Sequence, residues 1–243
     1  MTSPARDERD IRAYYDEFSA TYESGRHEGY HVLIDDLEIE FASRFVHGGE
    51  VLEVGCGTGL ILQRLSRLAS RAVGVDISPG MLEKARARGL EVYEGSATAL
   101  PFDDASFDVT CAFKVLPHVP DLKRALAEMA RVTRPGGILL VELYNPMSLR
   151  GLMKRVGPPG RIGETKRESD VFTRFDPPWK LAESLPPGCD VIDSRGIRIL
   201  TPAAFLLKAP ILGKVLDRAE RTLCDTKLSI FGGFWIAAVA KRA

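Results

Sequence analysis

The sequence lacks several features that mark whole classes of protein. No uncharged apolar run reaches the roughly 18 residues of a membrane-spanning helix, because residues 203–216 are interrupted by Lys208, Pro210 and Lys214. The 4 cysteines form no C-x-x-C pair and the 4 histidines do not fall at zinc-finger spacing. The N-terminal residues are charged and show no secretory signal. We therefore expect no metal site and a reduced, cytoplasmic protein.

Net charge is also absent, with 33 Lys and Arg against 33 Asp and Glu, which argues against a nucleic-acid-binding surface along the whole chain. The charged residues are nevertheless distributed unequally along the chain. Residues 1–40 hold 4 basic and 11 acidic residues, residues 41–146 hold 12 of each, and residues 147–243 hold 17 and 10. Two interpretations are open: unequal solvated faces, or chain ends with a role different from that of the middle.

The order of predicted elements indicates an α/β fold in a chain of 243 residues, a length compatible with one domain. An apolar and aromatic stripe predicts a helix over residues 7–24, and a second helix follows over 30–45. From residue 50, short β-rich runs alternate with helical periods, as in a parallel sheet with crossover helices. The predicted strands are 50–54, 72–76, 90–94, 107–112 and 137–143, and the helices between them are 59–69, 79–88 and 121–132.

This alternation stops after residue 144, where glycine, proline and charged residues indicate an insertion over 145–178. We predict one short helix in it, near 148–156. Regular structure then resumes with a helix at 179–184, a strand at 190–198, a helical stretch at 202–224 broken at Pro210, and a last strand at 229–239.

The strongest local feature is the segment VLEVGCGTG at residues 51–59, which leaves a strand, turns on glycines and opens a helix. Such a turn lets the backbone approach a ligand closely and offers free N–H groups to an anion. Asp76 ends the next strand, where its carboxylate can accept hydrogen bonds from a ribose diol. A dinucleotide loop reads G-x-G-x-x-G, but here the third glycine comes one residue early and Glu53 precedes the first by two. These departures favour a nucleotide ligand without a pyrophosphate.

The segment from Glu53 to Gly59 resembles motif I of the class I S-adenosylmethionine-dependent methyltransferases. Four further blocks continue the resemblance in order, namely DISPGML at 76–82, LPFDDASFD at 100–108, VLPHVPD at 115–121 and EMARVTRPGG at 128–137. The subgroup that these blocks resemble includes ubiquinone, menaquinone and natural-product enzymes. The resemblance implies a Rossmann-like, seven-stranded, mostly parallel sheet in the order 3-2-1-4-5-7-6, with the last strand antiparallel.

The same resemblance implies how the cofactor S-adenosylmethionine is held. Gly55 and Gly57 would lie against its methionine moiety, Asp76 would bind the ribose hydroxyls, and Ile77 and Met81 would pack on the adenine. The expected cofactor-binding residues are Tyr15, Tyr22, Glu53, Gly55, Cys56, Gly57, Gly59, Asp76, Ile77, Met81, Ser96, Ala97 and Phe113. Of these, Tyr15 and Tyr22 belong to the N-terminal helical stripe, which either closes over the cofactor or packs in the core.

A catalytic base is harder to identify. His118 follows the fourth predicted strand, where its imidazole could deprotonate a hydroxyl, although it also fits a common V-L-x-H-V-x-D pattern in which it has a structural role. The candidate substrate-binding residues are His27, His31, Tyr144 and Arg174. The basic and aromatic insertion suits an anionic, lipid-like acceptor, and equally a solvated loop. Residues 203–212 could contact a membrane surface, cover the sheet or form a dimer contact.

The sequence therefore predicts one methyltransferase domain. Its parts are an N-terminal helical lid (1–48), a cofactor-binding core (49–144), a substrate-side insertion with helices (145–225) and a final strand (226–243). We expect methyl transfer to a small molecule, with oxygen favoured over carbon or nitrogen, achieved mainly by proximity and desolvation. The protein would act as a monomer or homodimer. An NAD(P)-dependent oxidoreductase and a non-catalytic S-adenosylmethionine-binding module are the alternatives.

Overall fold

The computed structural model describes residues 8–26, 29–156, 161–162, 166–167, 172–201 and 203–243, and its main feature is a seven-stranded sheet. The strands of this sheet are β1 (Glu50–Val54), β2 (Arg71–Asp76), β3 (Glu91–Glu94), β4 (Phe107–Ala112), β5 (Thr133–Tyr144), β8 (Cys189–Ile197) and β9 (Phe234–Lys241). Two short strands in the insertion, β6 (Arg161–Ile162) and β7 (Lys166–Arg167), pair with each other in antiparallel orientation.

The sheet has the order β3-β2-β1-β4-β5-β9-β8. Strands β1 to β5 pair in parallel, and β9 is antiparallel to both β5 and β8. Counted within this sheet alone, the order is 3-2-1-4-5-7-6, so the expected Rossmann-like topology is confirmed. The chain passes from β1 outward to β3 and then returns to β4 on the other side of β1. Ligands bind at such a switch point, outside the carboxyl ends of the strands.

Helices cover both faces of the sheet. They are α1 (Glu8–Ser19), α2 (Tyr30–Ala42), α3 (Leu62–Leu65), α4 (Pro79–Ala87), α5 (Leu122–Val132), α6 (Leu149–Val156), α7 (Lys180–Ser184) and α8 (Pro210–Leu223), with 3₁₀ helices at Leu116–His118, Ala204–Lys208 and Lys227–Phe231. Successive side chains along each strand point to opposite faces of the sheet. In β1, Val51 packs against Leu37 and Phe41 of α2, whereas Leu52 belongs to the core on the side of α5. Burial on both faces explains the continuous apolar runs inside β2, at residues 72–75, and inside β5, at residues 138–141.

Several element boundaries differ from the sequence prediction. The helix predicted over 59–69 is an α-helix only at Leu62–Leu65, and β5 begins at Thr133 rather than residue 137. The first helix ends at Ser19 rather than residue 24, because residues 21–26 form successive tight turns, with bonds such as that from the Arg26 N–H to the Glu23 carbonyl. The last strand begins at Phe234 rather than residue 229, because the segment Lys227–Phe231 forms a 3₁₀ helix capped by the Thr226 hydroxyl. The predicted break at Pro210 is confirmed. Within the described ranges, no helix combines the length and apolarity needed to span a membrane.

Candidate functional site

A cavity of about 340 Å³ lies at the carboxyl ends of β1, β2 and β4, the switch point of the sheet. Its walls combine apolar side chains with a few polar groups, the usual composition of a small-molecule site. The lining residues are Ile11, Tyr15, Tyr22, Gly55, Gly57, Asp76, Ile77, Met81, Gly95, Ser96, Ala97, Thr98, Phe113, Lys114, Val115, His118, Val119, Pro120 and Asp121.

The glycine loop after β1 forms one wall. Gly55 and Gly57 have φ angles of 70° and 53°, which glycine adopts without steric cost. A side chain at Gly55 would have its Cβ 2.2 Å from Val115 Cγ2, whereas a Cβ at Gly57 would meet no protein atom within 4 Å. Gly55 is therefore needed for packing, and Gly57 leaves open space at the cavity wall.

Asp76 fastens this loop to the turn after β2. Its Oδ2 accepts a 2.8 Å hydrogen bond from the Gly57 N–H, and its Oδ1 accepts a 2.9 Å bond from the Ser78 N–H. Burial raises the pKa of Asp76, although these backbone N–H groups act in the opposite direction by favouring the carboxylate. Each carboxylate oxygen keeps a lone pair beyond its bond to the loop, so Asp76 can accept further hydrogen bonds from a ligand.

The N-terminal helix α1 forms the wall of the cavity beyond the carboxyl ends of the strands, and hydrogen bonds hold it against α4. Asp16 Oδ1 accepts hydrogen bonds from the Ser78 hydroxyl at 2.5 Å and from the Gly80 N–H at 3.0 Å. The Arg88 guanidinium pairs with both oxygens of Glu23 at 2.8 Å. These contacts place Tyr15 and Tyr22 in the lining. Sequence reasoning missed Asp16, whose role depends on the approach of two elements separated by some sixty residues.

Burial raises the pKa of Tyr15 well above its ordinary value. The pKa of Tyr22 is also raised by burial, although Arg26 opposes that shift. Both phenols therefore stay neutral around pH 7, and their hydroxyls can donate as well as accept. Arg26 stacks over the Tyr22 ring with its guanidinium carbon 4.5 Å from the ring centre.

A half-buried lysine, which sequence reasoning also missed, forms the inner wall between α2 and β4. Lys114 has a φ of 60°, uncommon for a residue with a side chain. Its Nζ donates 2.8 Å hydrogen bonds to Asp35 Oδ1 and Glu38 Oε2. Burial lowers the pKa of Lys114, but the adjacent carboxylates outweigh it, so the net shift is upward and the ammonium stays charged. Its only sequence signal is a charge within the apolar run after β4.

Two further carboxyl groups lie beside Lys114. Glu142 Oε1 accepts a 3.2 Å hydrogen bond from the Lys114 N–H. Burial raises the pKa of Glu142 well above the ordinary range, and Glu38 raises it further. Burial likewise raises the pKa of Glu53, whose Oε2 has no hydrogen-bond partner among the described residues. The inner wall thus contains more carboxyl groups than cations, and burial favours the protonated forms of Glu53 and Glu142.

His118 lies in the lining at the opposite side, in the 3₁₀ helix after β4. Its Nδ1 is 2.9 Å from the Phe172 carbonyl oxygen, which fixes this nitrogen as the donor. Its Nε2 then accepts from the Tyr144 hydroxyl at 3.4 Å. The Tyr15 ring is 6.3 Å from the imidazole. The tautomer therefore places the imidazole lone pair on Nε2, where the Tyr144 hydroxyl is its hydrogen-bond donor.

Ten of the thirteen residues expected to bind the cofactor line the cavity. The other three, Glu53, Cys56 and Gly59, are not part of that lining. The Cys56 thiol packs towards Gly74 and Leu62 beneath the loop, and Gly59 allows close approach to Leu90 and Ala85. Cys56 and Gly59 therefore support the glycine loop on the side that faces away from the cavity.

The expected substrate residues are more scattered. Tyr144 contacts His118 but is not part of the cavity lining, and Arg174 pairs with Asp176 at 2.5 Å rather than facing the cavity. His31 is half-buried against Tyr30, and burial together with Arg26 lowers the pKa of His31 to about 4, so it is neutral at pH 7. His27 lies outside the described residues. In the ranges that the structure describes, no group of His, Cys, Asp and Glu could hold a metal ion.

Comparisons with known proteins find similarity to methyltransferases. A family model described as a methyltransferase domain matches residues 52–141. Malonyl-[acyl-carrier protein] O-methyltransferase from Serratia marcescens is 36% identical over 107 residues, which are 43% of this chain and 42% of that protein. Demethylmenaquinone methyltransferase from Renibacterium salmoninarum is 42% identical over 102 residues, 41% of this chain and 43% of its own length. The matches thus span about two fifths of these relatives.

A solved structure of a SAM-dependent methyltransferase from Thermotoga maritima has a TM-score of 0.68 and 22% identity, covering 95% of this chain and 99% of that chain. At this identity the likeness concerns the fold alone. The matched residues 52–141 include the glycine loop, Asp76 and His118, and they form the strands of the switch point. Over residues 52–141, which form the centre of the sheet and much of the cavity wall, this chain is therefore similar to the methyltransferase domain of known methyltransferases.

Proposed function

We propose that this protein transfers a methyl group from S-adenosylmethionine to a small-molecule acceptor in the cavity beneath α1. The observation that carries the proposal is the joining of the glycine loop to Asp76 at the cavity wall. It leaves open space at Gly57 and a half-buried carboxylate beside it, which fits a nucleoside cofactor with a flexible polar chain. When bound, this cofactor supplies a methyl group activated by a sulfonium.

The residues present fit that group. Gly55 and Gly57 would lie along its methionine part, Asp76 would accept hydrogen bonds from the ribose hydroxyls, and Ile77 and Met81 would pack on the adenine. Ser96 would be a weaker hydrogen-bond partner for the adenine than a carboxylate would be, because its hydroxyl already forms a 2.9 Å hydrogen bond with the Thr98 hydroxyl. The early third glycine of the loop disfavours a dinucleotide, and thus the oxidoreductase alternative.

Positioning is the main contribution of this chain to catalysis. The contacts of Asp16 and Glu23 with α4 hold α1 across the cavity, which excludes water and confines two reactants. Such confinement can lower a reaction barrier by up to about 7–11 kcal/mol. The neutral rings of Tyr15 and Tyr22 present aromatic surface, which is favourable to a positively charged sulfonium.

We further propose that the accepting atom is a hydroxyl oxygen and that His118 Nε2 takes its proton. The Nδ1–H bond to the Phe172 carbonyl fixes the tautomer. The substrate hydroxyl would replace the Tyr144 hydroxyl as the donor to Nε2, a contact that is long at 3.4 Å. A positioned base of this kind contributes about 10²- to 10⁴-fold to rate. A strong nucleophile such as an amine would not need it.

Titration calorimetry tests the cofactor. We expect S-adenosylmethionine and S-adenosylhomocysteine to bind at micromolar concentration and NAD⁺ not to bind. Asp76→Ala should weaken S-adenosylmethionine at least tenfold, since it removes the acceptor and loosens the loop. Asp103→Ala, at an exposed carboxylate, is the matched control. Binding of NAD⁺ alone, or equal affinity in Asp76→Ala, would overturn the proposal.

Transfer of labelled methyl from the cofactor to phenols, carboxylic acids and amines tests the reaction. In His118→Asn we expect kcat for a hydroxyl acceptor to fall about 100-fold while the affinity for S-adenosylmethionine stays the same. An unchanged kcat would remove His118 from catalysis but leave methyl transfer intact. If the cofactor binds and no acceptor in a broad extract takes up label, the chain is a binding module.

A further inference from the structure

The outward face of α8 has an unusual composition. The exposed side chains at Ile211, Lys214, Val215, Arg218 and Thr222 follow helical spacing and share one face. Ile211 is 81% exposed and Val215 59%. Bulky aliphatic and basic residues thus occupy the positions where a solvated helix usually presents mixed charges.

The opposite face of α8 is fixed to the protein, so this orientation is imposed by the fold. The buried carboxylate of Glu220 accepts hydrogen bonds of 2.8–2.9 Å from the N–H groups of Ile199, Leu200 and Thr201, and a 2.7 Å bond from the Thr201 hydroxyl. A Cβ at Gly213 would lie 2.3 Å from the Leu207 carbonyl oxygen, so the helix packs closely there. The helix cannot rotate to bury Ile211 without breaking these contacts.

The 3₁₀ helix before α8 extends the same surface with Phe205, which is 68% exposed, and with exposed Lys208. We call Phe205, Lys208 and the outward residues of α8 the basic apolar face. Neither Lys208, Lys214 nor Arg218 forms an ion pair with any described residue. The two acids of α8 are occupied elsewhere, since Glu220 is buried and Asp217 pairs with Arg221 at 3.2 Å.

A groove of about 410 Å³ adjoins this face between α2 and α8. Its walls include the apolar Leu33, Leu207 and Pro210, and both Lys208 and Lys214 reach it. Asp217 is the one carboxylate in its lining. Apolar walls with two ammonium groups at the edge suit an amphiphile with an anionic head.

We propose that the basic apolar face docks the protein onto the surface of an anionic lipid bilayer. Phe205, Ile211 and Val215 would enter the interface, and the three cations would pair with lipid phosphates. A second copy of this chain is the poorer occupant, because a symmetric contact would set the same cations against one another. The proposal concerns a surface apart from the methyl-transfer cavity, so it goes beyond the proposed function and does not depend on it.

Vesicle sedimentation of the full chain tests the proposal. With vesicles of phosphatidylcholine and phosphatidylglycerol at 3:1, we expect binding at low salt that falls at least tenfold in 0.5 M NaCl or with phosphatidylcholine alone. Lys214→Glu/Arg218→Glu should lose binding at least tenfold, and Ile211→Ser/Val215→Ser should reduce it while the remaining binding stays salt-dependent. The matched controls are Lys123→Glu and Ile192→Ser, exposed residues on other surfaces.

Thermal unfolding of each variant confirms that the chain remains folded. Absence of vesicle binding, equal binding to both lipid mixtures, or equal losses in the controls would overturn the proposal. So would a dimer, seen by sedimentation velocity, that Ile211→Ser/Val215→Ser dissociates, because that result assigns the face to a second copy. Calorimetry with S-adenosylmethionine is unaffected by any of these outcomes, so failure of the docking surface is distinguishable from failure of the proposed function.

Discussion

Gly55 and Gly57 have similar backbone angles but different surroundings, which makes them a matched pair at the residue scale. An alanine at either position must adopt a positive φ, at a cost of about 1–2 kcal/mol. At Gly55 the added carbon also collides with Val115, whereas at Gly57 it enters open space at the cavity wall. We therefore expect Gly55→Ala to lower stability by more than this backbone cost, and Gly57→Ala to lower it by about the backbone cost alone.

We expect the affinity for S-adenosylmethionine to show the opposite order, with Gly57 as the more sensitive position. Because the cofactor is proposed to occupy the space beside Gly57, Gly57→Ala should weaken S-adenosylmethionine more than tenfold in calorimetry although the protein remains folded. Val115→Ala in the Gly55→Ala background should restore part of the lost stability, measured by urea unfolding. Normal affinity in a folded Gly57→Ala protein would place the cofactor away from this loop.

Glu142 gives the site a pH dependence at the same scale. Its pKa is raised in the folded protein by burial and by Glu38. Oε1 of Glu38 and Oε2 of Glu142 accept no hydrogen bond from other described residues, which is consistent with two carboxyl groups that share a proton. Above the unfolded pKa of Glu142, near 4.5, the folded state therefore binds more protons than the unfolded state. The free energy of unfolding must fall as pH rises towards the folded pKa.

Replacing Glu142 with Gln removes this effect, because the amide resembles a protonated carboxyl and can still accept from the Lys114 N–H. We expect the melting temperature of Glu142→Gln to exceed that of the unmodified protein at pH 8, by about 2 °C or more if the gain reaches about 1 kcal/mol. The difference should shrink as the pH falls towards 5, because the raised pKa of Glu142 favours protonation of the folded carboxyl there. Glu83→Gln, at an exposed carboxylate of α4, should show no such trend. A constant difference across pH would mean that Glu142 is ionised throughout.

At the scale of elements, the local sequence pattern predicts the structure correctly where a single residue type determines the backbone conformation. The glycine loop, Pro79 at the start of α4 and the break at Pro210 could all be located, because glycine and proline act on their own backbone. The strands β1 and β4 were predicted with their observed bounds, since both are short apolar runs between turn residues. Ten cavity-lining residues followed from these elements and the family resemblance.

The remaining features depend on how elements meet, which periodicity does not encode. The helix α2 was predicted, but not that Asp35 and Glu38 on it are buried, because that depends on Lys114 approaching from another layer. Acidic residues are normally solvated, so burial of these two contradicts the usual prior. Asp16 and Glu23 were missed for the same reason, as their partners lie on α4.

For the whole molecule, the acidic segment near one end of the chain and the basic segment near the other are in direct contact. Arg221 of α8 pairs with Asp36 at 3.0 Å and also with Glu40, both on α2. Arg195 of β8 lies 3.5 Å from Glu40. The acidic N-terminal segment is thus joined directly to the basic C-terminal segment. These ion pairs attach α2 to α8 and β8, and α2 in turn holds Lys114 at the cavity.

Replacing Arg221 with Met tests whether this contact matters, since Met keeps an apolar stem but no charge. Exposed pairs contribute about 0–1 kcal/mol each, so loss of this network should lower the free energy of unfolding by about 1–2 kcal/mol in urea. Arg242→Met, which removes a single exposed pair with Asp190, should cost less than about 0.5 kcal/mol. In 1 M NaCl, where charges are screened within about 3 Å, the two variants should converge. If the cost of Arg221→Met persists in high salt, the guanidinium stabilises the contact through packing and hydrogen bonds, and the charge asymmetry of the chain is incidental to how its ends meet.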